Sequence, residues 1–212
     1  VGIDRHFGEE ARTRVAEAVR RAEALSRGQI VPVVVEKSDP YPEARFRGAI
    51  GAAAIATGVV LALHAPLSLV ELALLQVAAG ILGALVASWD PVERLLAGAR
   101  ATDEAARARA QRAFHEHGLH RTSEGTGVLV FASLFEREAV VLGDHGIHAR
   151  MGGDWDRAVA ALAAGMRADD PAKGFVDAIA LCGARLAEHF PRDPAERRAP
   201  NELEDAIRAS RA

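Results

Sequence analysis

Two long uncharged stretches interrupt an otherwise mixed pattern of polar and apolar positions. Gly48 to Leu63 carries no charge, and after His64, Ala65 and Pro66 a second run, Leu67 to Ser88, carries only Glu71. The pattern predicts two helices joined by a tight, Pro-containing turn. A helix rises about 1.5 Å per residue and the hydrocarbon core of a bilayer is roughly 30 Å thick, so the second run is long enough to span it. The first reaches about 24 Å at that rise. It needs its flank, including Phe46, or a locally thinner bilayer. The alternative is a pair of buried helices, but a chain of 212 residues has little core in which to hide two helices apolar all round. The expectation is a transmembrane helical hairpin.

The remaining sequence alternates helical and strand patterns. Val15, Ala18, Val19, Ala22 and Leu25 recur at helical spacing within Glu9 to Ser26, which predicts an amphipathic helix stopped by Gly28. Gln29 to Val35 is β-branched and apolar and reads as a buried strand. Beyond the hairpin, Pro91 opens a short helix. Thr102 or Asp103 caps a longer one that runs to His117 and stops at Gly118. Thr126 to Leu134 and Arg137 to Leu142 read as two strands turning at Phe135 and Glu136. Asp154 caps a helix from Trp155 to about Ala168, and Pro171 opens a last one ending near His189. A fourth strand is drawn at Gly146 to Ala149, and a short helical piece at Glu202 to Arg208. Three or four strands with about four helices make a small α/β sandwich. The domain then lies in two parts, residues 1–44 and 91–191, with the hairpin at 45–90 and a charged tail at 192–212.

Charge sets an orientation. Arg45 and Arg47 precede the first span, Arg94 and Arg100 follow the second, and the turn holds only His64. Positive residues favour the cytoplasmic side, so both ends of the hairpin and the α/β domain are expected in the cytoplasm and the turn outside. Trp89 fits the aromatic belt at a bilayer boundary near Ser88. The first 25 residues hold no apolar core of a signal peptide. Arg and Ala are abundant and Lys is rare, the usage of a GC-rich bacterial genome, so the bacterial inner (cytoplasmic) membrane is the expected location. Net charge is −3, which gives no reason to expect a nucleic-acid partner. The single cysteine, Cys182, lies in an apolar helical run and reads as a buried structural thiol.

Small residues Gly51 and Gly58 on one span, and Gly80 and Gly83 on the other, allow close packing within the hairpin or self-association with another copy or another membrane protein. Glu71 reads as a helix-start cap or a snorkelling carboxylate, and Gln76 as a hydrogen-bonding group between helices.

Candidate chemistry is sparse. His115, His117 and His120 invite a zinc reading, but i and i+2 positions of a helix face different ways, and no standard ligand spacing is matched. Gly143-Asp144-His145-Gly146 follows a strand, where ligand sites gather on loops. Asp144 and Asp154, with Glu36 and Asp39 after the first strand, are the candidate oxygen ligands for Ca2+ or another divalent cation, which wants six or more oxygens. The alternative is that Asp144 makes a turn and Asp154 caps a helix. Arg121, with Glu136 and Arg137 at the strand turn, could receive a phosphate group. A Glu-Arg pair at a hairpin tip otherwise reads as a solvated turn. The sequence has no P-loop, no Cys-centred phosphatase loop and no GxSxG elbow.

The segments SRGQIVPVVVEKSDPY, AFHEHGLHRTSEGTGVLVFASLFEREAVVLGDHGI, the Trp155 helix and the terminal FP and NELEDA, with paired spans between the first two, occur in an order that resembles the TPM domain family. The resemblance is to its bacterial branch with a transmembrane hairpin inside the domain, and it implies an α/β/α sandwich with a mixed sheet. It also places Asp144 in the family's strand-end motif. Some family members are phosphatases, some bind calcium and others are non-enzymatic. The expected function is a membrane-anchored binding or scaffold module with divalent-cation binding. The alternative is a metal-dependent phosphatase acting on phosphate esters.

Overall fold

The computed structural model describes residues 2–122, 125–151, 155–192 and 206–210. They fall into two compact units, one built from the described residues of 1–38 and 103–212, the other from Asp39–Thr102.

The first unit is a mixed α/β sandwich. Helices α1 (Ile3–His6) and α2 (Glu9–Leu25) lead into strand β1 (Gln29–Val35). After the excursion through the second unit, α6 (Ala99–Glu116) and a 3-10 turn (Leu119–Arg121) lead to β2 (Gly127–Ser133) and β3 (Glu138–Gly143). Then follow α7 (His145–Met151), α8 (Asp156–Arg167), α9 (Pro171–His189) and a short β4 (Arg208–Ser210). The sheet order is β3-β2-β1-β4. β1 is parallel to β2 and to β4, whereas β2 and β3 are antiparallel.

Side chains alternate across the sheet with period two. Ile30, Val34, Val128, Val130 and Val141 pack with α1, α2, α8 and α9 on one face. Val31, Val33, Val35, Leu129 and Phe131 pack with Ala106, Ala110 and Ala113 of α6 on the other. Cover on both faces explains why β1 and β2 read as continuous apolar runs. A parallel pair also demands a long crossover, and the hairpin is inserted within that crossover, between the exit of β1 and α6.

Four expectations change. Gly146 to Ala149 is helix α7 and not a strand, because the Asp144 carbonyl accepts the N–H groups of Ile147 and His148 and Ile147 is fully buried. The fourth strand lies instead in the charged tail: Arg208, expected at the end of a helical piece, starts β4. Its partners on β1 are Val33, Val34 and Val35. Glu202 and the residues up to 205 lie outside the described residues, as does Asp154. Third, α6 starts at Ala99, so Thr102 is inside it and its hydroxyl donates back to the Ala99 carbonyl at 2.9 Å. Fourth, α8 starts at Asp156.

The second unit holds α3 (Pro42–Ala62), α4 (Leu69–Val86) and α5 (Asp90–Ala97). α3 begins ahead of Arg45 and Arg47, takes in Phe46 and runs 21 residues, about 31 Å at 1.5 Å per residue. Ser68 and Glu71 form a capping box at the start of α4, the arrangement S-x-x-E favours. Gln76 Nε2 donates to Thr57 Oγ1 across the pair at 3.0 Å. Arg47 donates to the carbonyls of Leu96 and Ala97, so the chain entering the hairpin meets the chain leaving it.

Candidate functional site

Every candidate carboxylate in the described residues has a structural task. Glu36, just past β1, accepts the Ile3 N–H at 3.0 Å and so caps α1. Asp39 accepts the Tyr41 N–H at 3.2 Å, a local turn in which Tyr41 takes φ +45°. Asp144, just past β3, accepts the His145 N–H at 2.7 Å and opens α7.

Sheet topology keeps Glu36 and Asp144 apart. Val35 lies beside Ser133 at the end of β2, whereas Gly143 lies beside Val128 at its beginning. The two carboxylates therefore sit at opposite ends of seven-residue strands, about 20 Å apart at 3.3 Å per residue, and cannot share a cation. Among the described residues, no three His, Cys, Asp or Glu side chains gather as metal ligands.

The turn between β2 and β3 is the least expected feature. Glu136 is 4% exposed, with Ser133 beneath it and Ser38 beside it also buried. The Glu136 carboxylate accepts the Ser38 N–H at 2.9 Å and the Ser133 hydroxyl. Ser38 Oγ in turn donates to Ser133 Oγ at 2.9 Å. This closed network clasps the exit of β1 to the turn. Arg137 is exposed at the tip with φ +60°. Arg121 is exposed on the 3-10 turn and donates through Nε to His120 Nε2 at 3.3 Å. Next to the clasp, the Glu138 carboxyl is held above its usual range by burial, and by Asp103 nearby.

The three histidines divide. The rings of His115 and His120 approach to 5.1 Å between centroids, while His117 Nδ1 meets Arg208 Nη1 of β4 at 2.7 Å. Burial, and then Arg208, hold His117 below its ordinary value, assisted by Arg109 and opposed by Glu116. A depressed His favours the folded state while neutral, so its contribution is complete above the ordinary value of 6.5. It is lost as pH falls through the lowered folded value. Amide-exchange protection of Arg208–Ser210 is therefore expected to fall as pH drops below 6.5, and His117→Asn to flatten that dependence. Equal pH dependence in the variant would contradict the assignment.

Hollows lie in the sandwich unit among the described residues. One, of about 410 Å³, sits at the strand end near Asp144. It is lined by Arg27, His145, Gly146, Ala149, Arg150 and Phe190, with the Arg150 guanidinium 4.9 Å from the centre of the Phe190 ring. Another, of about 290 Å³, lies between α8 and α9, lined by Trp155, Arg157, Leu181, Ala184, Arg185 and Glu188. Cys182 is fully buried on α9, and burial pushes its thiol up to about 12, so it supplies no thiolate. The Ser38–Ser133–Glu136 clasp left no mark in the sequence, because Ser38 stands 98 residues from Glu136 along the chain.

No family model matches the chain, and no curated protein does. Among solved structures it is similar to the NMR structure of the BA42 protein from the psychrophilic bacterium Bizionia argentinensis, at 19% identity, over 99% of this chain and 99% of that one, with a TM-score of 0.60. At this identity the likeness shows the fold alone. The chain has a mixed α/β fold, with two helices long and apolar enough to cross a membrane.

Proposed function

We propose that this chain is a membrane-anchored binding module of the TPM type. It sits in the bacterial inner membrane, with the α/β/α domain and both termini in the cytoplasm. The observation that carries this reading is the exposure of the hairpin. The apolar windows of α3 and α4 are 6% and 0% buried, and Ile50, Ile55, Leu61, Leu74, Ile81, Leu82 and Leu85 all stand open. Each such side chain left in water forgoes about 1.5–3 kcal/mol of burial, and soluble monomers rarely show contiguous apolar patches beyond a few hundred Å². Lipid is the medium that accepts this surface. The arginines at the base and their absence from the turn support the orientation. The structural tasks of Glu36, Asp144 and Glu136 favour binding over catalysis.

Two measurements test it. The chain should resist carbonate and high-salt washes and leave the membrane only with detergent. On a Cys182→Ala background, His64→Cys should react with an impermeant maleimide on intact cells, and Arg94→Cys only after lysis. Release by carbonate, or the reverse labelling, would overturn it.

A further inference from the structure

The short helix that follows the hairpin is turned the wrong way round for water. α5 is eight residues long, Asp90–Ala97, with Trp89 at its N-cap. At about 100° per residue, Pro91, Val92, Leu95 and Leu96 fall on one arc, and Asp90, Glu93, Arg94 and Ala97 on the other. A helix on a soluble protein buries its apolar arc and leaves its charges outside. α5 does the reverse. Glu93 is 2% exposed and engaged, and Ala97, one turn on, is buried with it. Leu95 is 79% exposed. Pro91, one turn before Leu95, is exposed as well, and Val92 is half-buried.

The hairpin base holds α5 in this orientation. Arg47 of α3 donates to the carbonyls of Leu96 and Ala97, a cation at the negative end of the helix dipole. Gly98 then closes the helix at φ +87°. Only Ala87, Ser88 and Trp89 separate α4 from α5, and both belong to the same compact unit. Leu82, Leu85 and Val86 stand exposed at the end of α4, Trp89 follows at 68%, and then comes Leu95. The exposed apolar surface of the span therefore continues onto α5, with an indole at the junction, where a bilayer has its aromatic belt. A lone exposed leucine calls for no explanation. A helix with its carboxylate inside and its leucine outside, joined directly to an apolar span, does. A second protein copy is a poor cover for this face. α5 is about 12 Å long and about 10 Å wide, so one face offers on the order of 100 Å², against roughly 800 Å² per partner in a stable protein interface. Lipid sets no such minimum.

We infer that α5 is an interfacial helix that lies in the plane of the bilayer at the base of the hairpin. Its Pro91, Val92 and Leu95 arc is set into the boundary between phospholipid headgroups and acyl chains, and its arc of Asp90, Glu93 and Arg94 turns away from lipid. Helices of this kind sink an apolar face about 5–10 Å into that boundary, and α5 is too short to cross a core roughly 30 Å thick. The lipid-facing arc carries no charge, so the contact needs no anionic headgroup. α5 then sets the depth of the hairpin, because α3 and α4 cannot slide through the bilayer without drawing Leu95 out of lipid or Glu93 into it. The inference rests on the membrane-anchor reading and adds a lipid contact outside the two spans. A chain held by its spans with α5 in water is the result that separates the two.

The test uses the full chain in neutral phosphatidylcholine liposomes. Cys182 is the single cysteine, so Cys182→Ala gives a background for one spin label at a time, through Asp90→Cys, Val92→Cys, Arg94→Cys or Leu95→Cys, with Ile81→Cys as the reference inside α4. Molecular oxygen concentrates among acyl chains and a nickel chelate stays in water, so the ratio of their relaxation effects reads the medium around each label. Labels at Leu95 and Val92 should give an oxygen-to-nickel ratio severalfold above those at Asp90 and Arg94 and close to that at Ile81. Nickel access at Leu95 while Ile81 stays in lipid would overturn the inference and leave the anchor standing. Nickel access at both would overturn the anchor and the inference together. A Leu95 label shielded from oxygen and nickel alike would also overturn it, in favour of a protein partner on this face. Leu95 and Val92 report independently, so the test stands if one of the two variants fails to fold.

Discussion

Replacing Glu136 by Ala is expected to destabilise the α/β unit by about 3–5 kcal/mol. Two donors lose their acceptor at once, the Ser38 N–H and the Ser133 hydroxyl, and both residues are buried. A buried donor left unmatched costs about 1–3 kcal/mol, and the lost methylenes add about 0.8 kcal/mol each. Against a typical domain stability of about 5–15 kcal/mol, the variant approaches the threshold of folding. Glu136→Gln keeps the shape and one acceptor oxygen for Ser38, so its loss should be nearer about 1 kcal/mol. Urea unfolding, with the slope unchanged, measures both. Exchange protection at residues 36–38 should fall first, because the clasp is what pins the end of β1 to the turn. An Ala variant within about 1 kcal/mol of the parent would show that the clasp does not carry this load.

The sequence disclosed what depends on local period and length. β1 and β2 were legible because burial on both faces selects an unbroken apolar run, and α3 and α4 because two long apolar runs with no place in a small core have few other readings. Glu71 was legible as a helix-start cap or a snorkelling carboxylate, and its bonds with Ser68 make it the cap. Glu136 was hidden for a physical reason: Phe135-Glu136-Arg137 is locally a polar hairpin tip, and its burial comes from Ser38, 98 residues away in sequence. β4 was hidden likewise, since three residues of a charged segment become a strand only because β1 offers an open edge. Glu36 and Asp144 came apart on one missing fact. The β2–β3 hairpin was foreseen, but whether β1 runs with β2 or against it was not, and that choice decides whether Glu36 and Asp144 share an end of the sheet.

Gly83→Leu is expected to push the hairpin helices apart at their base, at a loss of about 3 kcal/mol or more, the upper end of what overpacking costs. A Cβ on Gly83 would stand 2.3 Å from the Gly48 carbonyl oxygen and 2.5 Å from Ala52 Cβ. One on Gly48 would stand 2.5 Å from Ala87 Cβ. The first obstacle is backbone, which cannot swing aside as a side chain does. The helices must separate, stretching the Arg47 bonds to Leu96 and Ala97 on the same side of the hairpin. This redistributes the small residues of the two spans. Gly83 belongs to the intramolecular crossing and is not free to serve a second copy. A Cβ on Gly80 would stand 3.8 Å from the Ala49 carbonyl oxygen, whereas one on Gly51 or Gly58 would meet nothing within 4 Å. Gly51→Leu and Gly58→Leu should therefore leave the hairpin within about 0.5 kcal/mol of the parent, as surface changes usually do. SDS titration of the purified chain, with Trp89 fluorescence reporting on the base of the hairpin, should separate the two classes. The Gly83 variant should melt at a lower SDS fraction while the Gly51 and Gly58 variants track the parent. If all three track together, the helices do not cross at Gly48 and Gly83.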